Sequence, residues 1–323
     1  MARQAKGIRK VTTARQSKVI LSGNNSGHKS RLIKAAQALD LKDFSEKPSG
    51  VWGSKATIKC NNVTLKSSEL DVEFNIPFDD DLEANEGEIL VYNLSDNTVK
   101  QLKTDETLTI EAGYEGDTGK MFEGKVRKVL TNREGADRIT TIKVYDGITT
   151  STEELIEAKK ISDSYDGKSA KEILKALLEA EGSPIAKFEV SSDYEYEGSV
   201  SVGGDLQAEI KKHSETCGVS TFKSNGKIYS CALKDVSSDI TFNVSEETGM
   251  IGSPSPFEET VSVEGEEKTI KGFDIEMLFQ PRAAVGAIVN LKSEQYSGKY
   301  YIKSGKHRFN ESEAITTIKV VEQ

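Results

Sequence analysis

The segment Glu111–Phe122, EAGYEGDTGKMF, holds three glycines and a Gly-Lys step at the end of an apolar strand, the ingredients of a loop that cradles phosphate. The spacing rejects that chemistry. A phosphate loop needs G-x-x-x-x-G-K-[ST] opening a helix. Here five residues separate Gly113 from Gly119, Met121 stands where Ser or Thr would hold magnesium, and Glu115 and Asp117 would repel phosphate. The following MFEGKVRKVL alternates as a strand does. The glycines read instead as a tight corner between two strands, where they supply positive φ.

The other chemistry-bearing residues are equally uncommitted. Glu86 with Glu88 and Glu153 with Glu154 are closely spaced carboxylates, but in a chain with 52 acidic residues they read as solvated charge. FDDDLEANEGE (Phe78–Glu88) lacks the alternating ligands and central glycine of an EF-hand and reads as an acidic loop. His28, His213 and His307 are far apart with no partner at metal-ligand spacing, and His213 is expected on a helix, surface-facing or half-buried. Cys60, Cys217 and Cys231 form no CxxC and read as free thiols of a reducing cytoplasm, although Cys217 and Cys231 flank a hairpin and could approach each other. No Ser/His/Asp or Cys/His order stands out. No catalytic, cofactor-binding or metal residue is therefore assigned, and no enzyme is expected. The alternatives are a cell-wall hydrolase and a sugar-binding adhesin. One tryptophan (Trp52) and 7% aromatic residues are thin for sugar stacking, and Tyr194 and Tyr196 read as edge-strand residues.

The elements around these residues divide the chain. A length of 323 residues suggests two domains or so. The net charge of -9 disfavours specific nucleic-acid binding, and no apolar run approaches the ~20 residues of a membrane span. Residues 1–50 form a basic arm in which the first acidic residue is Asp40, with a short helix expected in SRLIKAAQALDL; the arm reads either as a flexible, solvated tail or as a segment docked on a neighbouring subunit. Residues 51–147 alternate as strands and read as a first β-barrel-like domain. Residues 148–237 read as an α+β insert. A helix is expected over TSTEELIEAKKI. Another is expected over SAKEILKALLEAEG, with a Ser169/Glu172 capping box and Gly182 as its stop. A third, from Asp205 to Gly218, precedes a hairpin at Asn225-Gly226. Residues 238–323 return to strands as a second barrel-like domain, after a Pro- and Ser-containing connection, GSPSPFEE. The class is α+β, mainly β.

The two β regions share a repeat. ITTIKV occurs at Ile139–Val144 and at Ile315–Val320, each preceded by a Gly-Lys step (Gly119, Gly298), an aromatic-containing strand and a polar turn. Shared order suggests a duplicated β unit.

At this point EILVYNLSDNTVKQL, TLTIEAGYEGDTGKMFEGKV and ITTIKVYDG together resemble the first β domain of phage-tail baseplate hub proteins, the hubs of contractile tails and of phage-like bacteriocins and injection systems. PRAAVGAIVNLKSEQYSGKYYIKSGKHRF is similar to that family's final β domain; the basic arm falls outside the pattern. The resemblance implies a structural protein of a virion or phage-like tail, made in the bacterial cytoplasm. It would form a homotrimeric ring whose two β domains per chain match a six-fold tube and carry a central spike. Implied partners are the tail tube or distal tail protein, the spike, the tape-measure protein and other baseplate proteins.

Overall fold

The computed structural model describes residues 52–146, 159–224, 227–236, 240–263 and 266–322. The basic arm with its expected helix, Glu153, Glu154 and the Asn225-Gly226 turn lie outside the described residues.

Period-two alternation produces strands wherever one face can be buried. The N-terminal group is β1 (Trp52–Cys60), β2 (Val63–Lys66), β3 (Val72–Phe78), β4 (Glu86–Tyr92), a short helix α1 (Asp96–Gln101), β5 (Thr107–Glu115), β6 (Asp117–Glu134) and β7 (Asp137–Tyr145). The middle of the chain gives β8 (Lys160–Asp166), α2 (Ala170–Glu181), β9 (Ile185–Phe188), β10 (Ser199–Asp205), α3 (Leu206–Thr216), β11 (Ser220–Ser224) and β12 (Lys227–Cys231). The C-terminal group is β13 (Thr241–Ser245), β14 (Met250–Val263), β15 (Glu266–Leu278), β16 (Ile288–Lys292), β17 (Ser297–Phe309) and β18 (Ala314–Val321).

Both outer groups belong to one 13-stranded sheet, ordered β14-β15-β18-β17-β3-β4-β7-β6-β5-β1-β2, with β16 on β17 and β13 on β16. The mainly β, α+β class is observed. The expected barrels are not closed: among the described strands the pairings form no cycle, and β3 on β17 makes the two groups one continuous sheet.

The middle segment follows its local signals. Ser169 and Glu172 make a reciprocal capping box on α2, and Gly182 ends the helix at φ 92°. Ile173, Leu174, Leu177 and Leu178 are buried against Ile210 of α3, Cys217 and Ile228. Asp205 caps α3 through the Ala208 amide at 2.9 Å.

Several expectations change. The helix read over Thr150–Ile161 ends in residues that open strand β8; most of the rest lies outside the described residues. GSPSPFEE is not a connection but the first half of β14. This strand ends the sheet path, where the missing proline donors can face outward, and its register shifts between Ile251 and Ser255. His213 is fully buried rather than surface-facing, with Tyr196 Oη 3.3 Å from its Nδ1. Tyr194 and Tyr196 lie outside the strands, on either side of an isolated bridge between Glu195 and Ser169.

Candidate functional site

The repeated hexapeptide lies on β7 and β18, and its surroundings repeat with it. Val126 of β6 faces Val144, and Ile302 of β17 faces Val320. Both pairs of equivalents are 176 residues apart (302 − 126 and 320 − 144). Each hairpin then shifts register at the same step, between Val144 and Lys143 and between Val320 and Lys319. The first threonine bonds the facing strand in both: Thr140 Oγ1 lies 3.3 Å from Thr131 Oγ1, and Thr316 Oγ1 3.0 Å from His307 Nδ1. The strand orders match as well, β3-β4-β7-β6-β5 against β14-β15-β18-β17-β16. The Gly-Lys steps do not correspond, because Gly298 falls 176 residues after Phe122 (298 − 122). The reason is hairpin length. β5 and β6 stay paired until only Glu115-Gly116 connects them, whereas β16 and β17 part at Lys292 and Ser297.

The two units meet where the end of β17 pairs with β3, from Gly305 opposite Phe78 to Phe309 opposite Phe74. Phe309 stacks on Phe74 at 5.0 Å, Phe279 meets both rings edge-on, and His307 lies between Phe78 and Phe279. Leu278, Phe279, Phe309 and Ala314 from the C-terminal strands thereby complete the core of the N-terminal unit. Burial holds the His307 imidazole neutral, down to about 4.

The EAGYEGDTGK corner belongs to this junction. Gly113, at φ 150°, leaves no room for a Cβ, which would stand 2.2 Å from the Asp117 carbonyl oxygen. Tyr114 donates to the Ala314 carbonyl at 3.1 Å and accepts from the Phe279 amide at 3.3 Å, and burial pushes its phenol well above the usual range. Asp117, almost fully buried, takes the Arg282 guanidinium at 2.7 Å. Glu115 is exposed on the surface and pairs with Lys55. The corner's polar residues serve inter-unit contacts, which sequence spacing had no means of showing because the partners are more than 160 residues away.

The acidic loop straps the middle segment to the N-terminal unit. Leu82 enters the helical core beside α2 and α3, and Asp80 accepts from Ser220 Oγ at 2.7 Å. Asn85 donates to Asp146 through its amide (2.7 Å) and side chain (3.1 Å), and to Asp79 at 3.3 Å. Burial raises Asp79 to about 6 and Asp146 to about 7. A cleft of about 350 Å³ lies between this loop, α3 and the C-terminal sheet, with Lys303 and Glu259 on its far wall. Among the described residues no group of three or more His, Cys, Asp or Glu is placed to hold a metal.

Of the residues singled out in the sequence, Glu86 and Glu88 are exposed on β4, and Glu86 pairs with Arg127. The three cysteines are buried free thiols, each raised by burial, Cys217 to about 12 and Cys60 and Cys231 to about 11. His307 was singled out only for its isolation. Aligning it with Thr131 across the repeat is the signal that reveals its place at the junction. No helix of the described residues is long and apolar enough to cross a membrane.

The fold has relatives among tail proteins. The chain superposes on a tail protein from Neisseria meningitidis MC58 with a TM-score of 0.56 at 8% identity, covering 84% of this chain and 97% of that one. It superposes equally on the 43 kDa tail protein of prophage MuSo2 from Shewanella oneidensis, with TM-score 0.57, 9% identity, and 84% and 97% coverage. An Escherichia coli component of the type VI secretion system matches with TM-score 0.54 at 11% identity over 82% of this chain and 76% of that one; it is described as structurally similar to the T4 bacteriophage tail proteins gp27 and gp5. The chain thus has the fold of these tail proteins. No family model matches the sequence, and no curated protein matches it.

Proposed function

We propose that this chain is a non-enzymatic baseplate hub protein of a phage or phage-like tail, three copies of which close a ring between a six-fold tail tube and a central spike. The observation that carries the reading is the internal duplication. Two β units with the same strand order and hairpin register give three copies six similar units, the number a six-fold tube presents. The tail-protein fold supports the setting. In this reading residues 51–147 and 238–323 build the ring, residues 148–237 are an insert on its outside, and residues 1–50 are an arm that docks on a neighbour. No catalytic, cofactor or metal residue is assigned. The partners are the tail tube or distal tail protein, the spike and the tape-measure protein. Light scattering on purified full-length protein, alone and with tube protein, tests it. A trimer that caps tube ends is expected, and a monomer that stays off the tube under all conditions would sink the reading.

A further inference from the structure

The two parts of the chain carry opposite charge. Residues 1–51 hold 11 Lys and Arg against 3 Asp and Glu, a net +8, which leaves −17 for residues 52–323 (−9 − 8). Charges of this size attract, and the attraction counts most where acid is gathered around a concave surface. The cleft between the acidic loop, α3 and the C-terminal sheet is such a place. Asp80, Asp81, Glu83, Glu215 and Glu322 line it against Lys211. Its other lysine, Lys303, is held by Glu259 at 2.7 Å. Glu83 and Glu215 make no ion pair among the described residues.

We infer that this cleft is the receptor for the chain's own basic arm, with Ser30–Leu41 as the docked segment. The floor of the cleft is apolar: Val219, Leu233 and Val321 are buried there and Ile270 is half-buried. In SRLIKAAQALDL, Leu32, Ile33, Ala36 and Leu39 fall on one side at helical spacing, and Lys29, Arg31 and Lys34 supply positive charge within the same stretch. An apolar stripe with basic neighbours matches an apolar floor with an acidic rim. A volume of about 350 Å³ admits a few side chains of such a segment and no folded domain. The acidic rim turns away a phosphate-bearing occupant.

The arm can reach. Ser54 of β1 faces Tyr114, whose hydroxyl bonds the Ala314 carbonyl, so the described chain begins near the Ala314 end of β18. Val321, at the other end of β18, lines the cleft. That length of strand is about 23 Å, and residues 42–51 can span about 33 Å. The docking needs no second copy and goes beyond the ring reading; on ring closure the same cleft would receive a neighbour's arm.

Limited trypsin digestion of the full-length protein, with mass spectrometry of the first cuts, tests it. Arg31 and Lys34 should be cut about tenfold more slowly than Lys6 and Arg9 of the same arm. Glu83→Gln with Glu215→Gln removes the unpaired charges, and Ala208→Trp fills the cleft from an exposed position on α3. Each should speed cutting at Arg31 and Lys34 about tenfold while residues 52–322 stay uncut. Glu246→Gln with Glu247→Gln, exposed and outside the cleft, should leave the pattern alone. A short bis-maleimide on Ala36→Cys with Ala208→Cys shows whose arm is docked, because the native thiols are buried. A link within one chain, running as a monomer on a denaturing gel, is expected. Links that join chains would overturn docking within the chain and give the cleft to a second copy's arm, as the ring reading has it. Arg31 and Lys34 cut as fast as Lys6 and Arg9, with no link formed, would overturn the docking and leave the cleft to a basic segment of another protein. Protection that survives both cleft variants overturns it as well. The ring stands or falls separately, on the light-scattering mass.

Discussion

The strands β6 and β17 are the same element used twice, and they differ in what covers their ends. On β17, Phe309 is stacked under Phe74 and His307 is 1% exposed. On β6 the equivalent positions are Arg133, exposed to water, and Thr131, half-covered. Hairpin register, bulge and threonine contact are the same in both. The backbone of the repeat thus needs neither cover nor an aromatic end. Those features belong to the junction and follow from which strand edge meets the limb.

The sharpest way to break the comparison is to remove the stacked ring. Phe309→Ala leaves a cavity between Phe74 and Phe279 and should cost about 3–5 kcal/mol. Arg133→Ala, the same position on the other limb, should change stability by less than about 0.5 kcal/mol. Denaturant midpoints of the two variants measure this; equal effects would show that the two limbs are not differently covered.

The next effect is electrical. His307 titrates at about 4 in the fold against 6.5 for an ordinary histidine, because burial opposes its charge. As pH falls, the unfolded chain takes up the proton first. The contribution of neutral His307 is therefore complete above about pH 6.5, is lost as pH drops towards 4, and amounts at most to about 3 kcal/mol. His307→Thr gives this limb the residue of the other one. The variant should be less stable at neutral pH but should lose less stability than the parent between pH 6.5 and 4. Asp146, raised by burial to about 7, has the opposite sign: its contribution is largest in acid and is lost as pH rises through neutrality. The difference between parent and variant midpoints therefore carries the signal, and parallel curves would refute a buried neutral imidazole.

How much of this was legible in the sequence depends on the range of the cause. Caps, the αL stop at Gly182 and the apolar stripe of α2 act within a few residues, and the spacing of Ser169, Glu172 and Leu174 showed them. The duplicated hairpin was legible because ITTIKV fixes its own register. The β14 strand was not, since Pro254 and Pro256 are strand breakers everywhere except at an edge, and edge position is a property of the whole sheet. Phe78–Glu88 was read as an acidic loop and nothing more because its one decisive residue is Leu82, whose burial depends on helices that follow by about 90 residues or more. The Gly113–Gly119 corner was recognised as a turn. That Tyr114 and Asp117 bind the other unit depended on partners no local pattern contains.

The smallest effect separates the two threonines themselves. Both are fully buried, occupy the same place in the repeat and bond the facing strand. Thr316 Oγ1 also accepts the Gln280 amide at 2.8 Å, so its own hydrogen is free to go to His307 Nδ1. Thr316→Val keeps the shape but strips the partner from two groups that water cannot reach, and should cost about 2–3 kcal/mol. Thr140→Val frees only Thr131, whose hydroxyl is half-exposed and can turn to water, so about 1 kcal/mol or less is expected. Combining Thr316→Val with His307→Val removes one of the orphans and should recover part of the loss in a double-mutant cycle. Thr140→Val with Thr131→Val should be additive within about 0.5 kcal/mol. If the two cycles gave the same coupling, the hydroxyl of Thr316 would be an inherited feature of the repeat with no part in the junction.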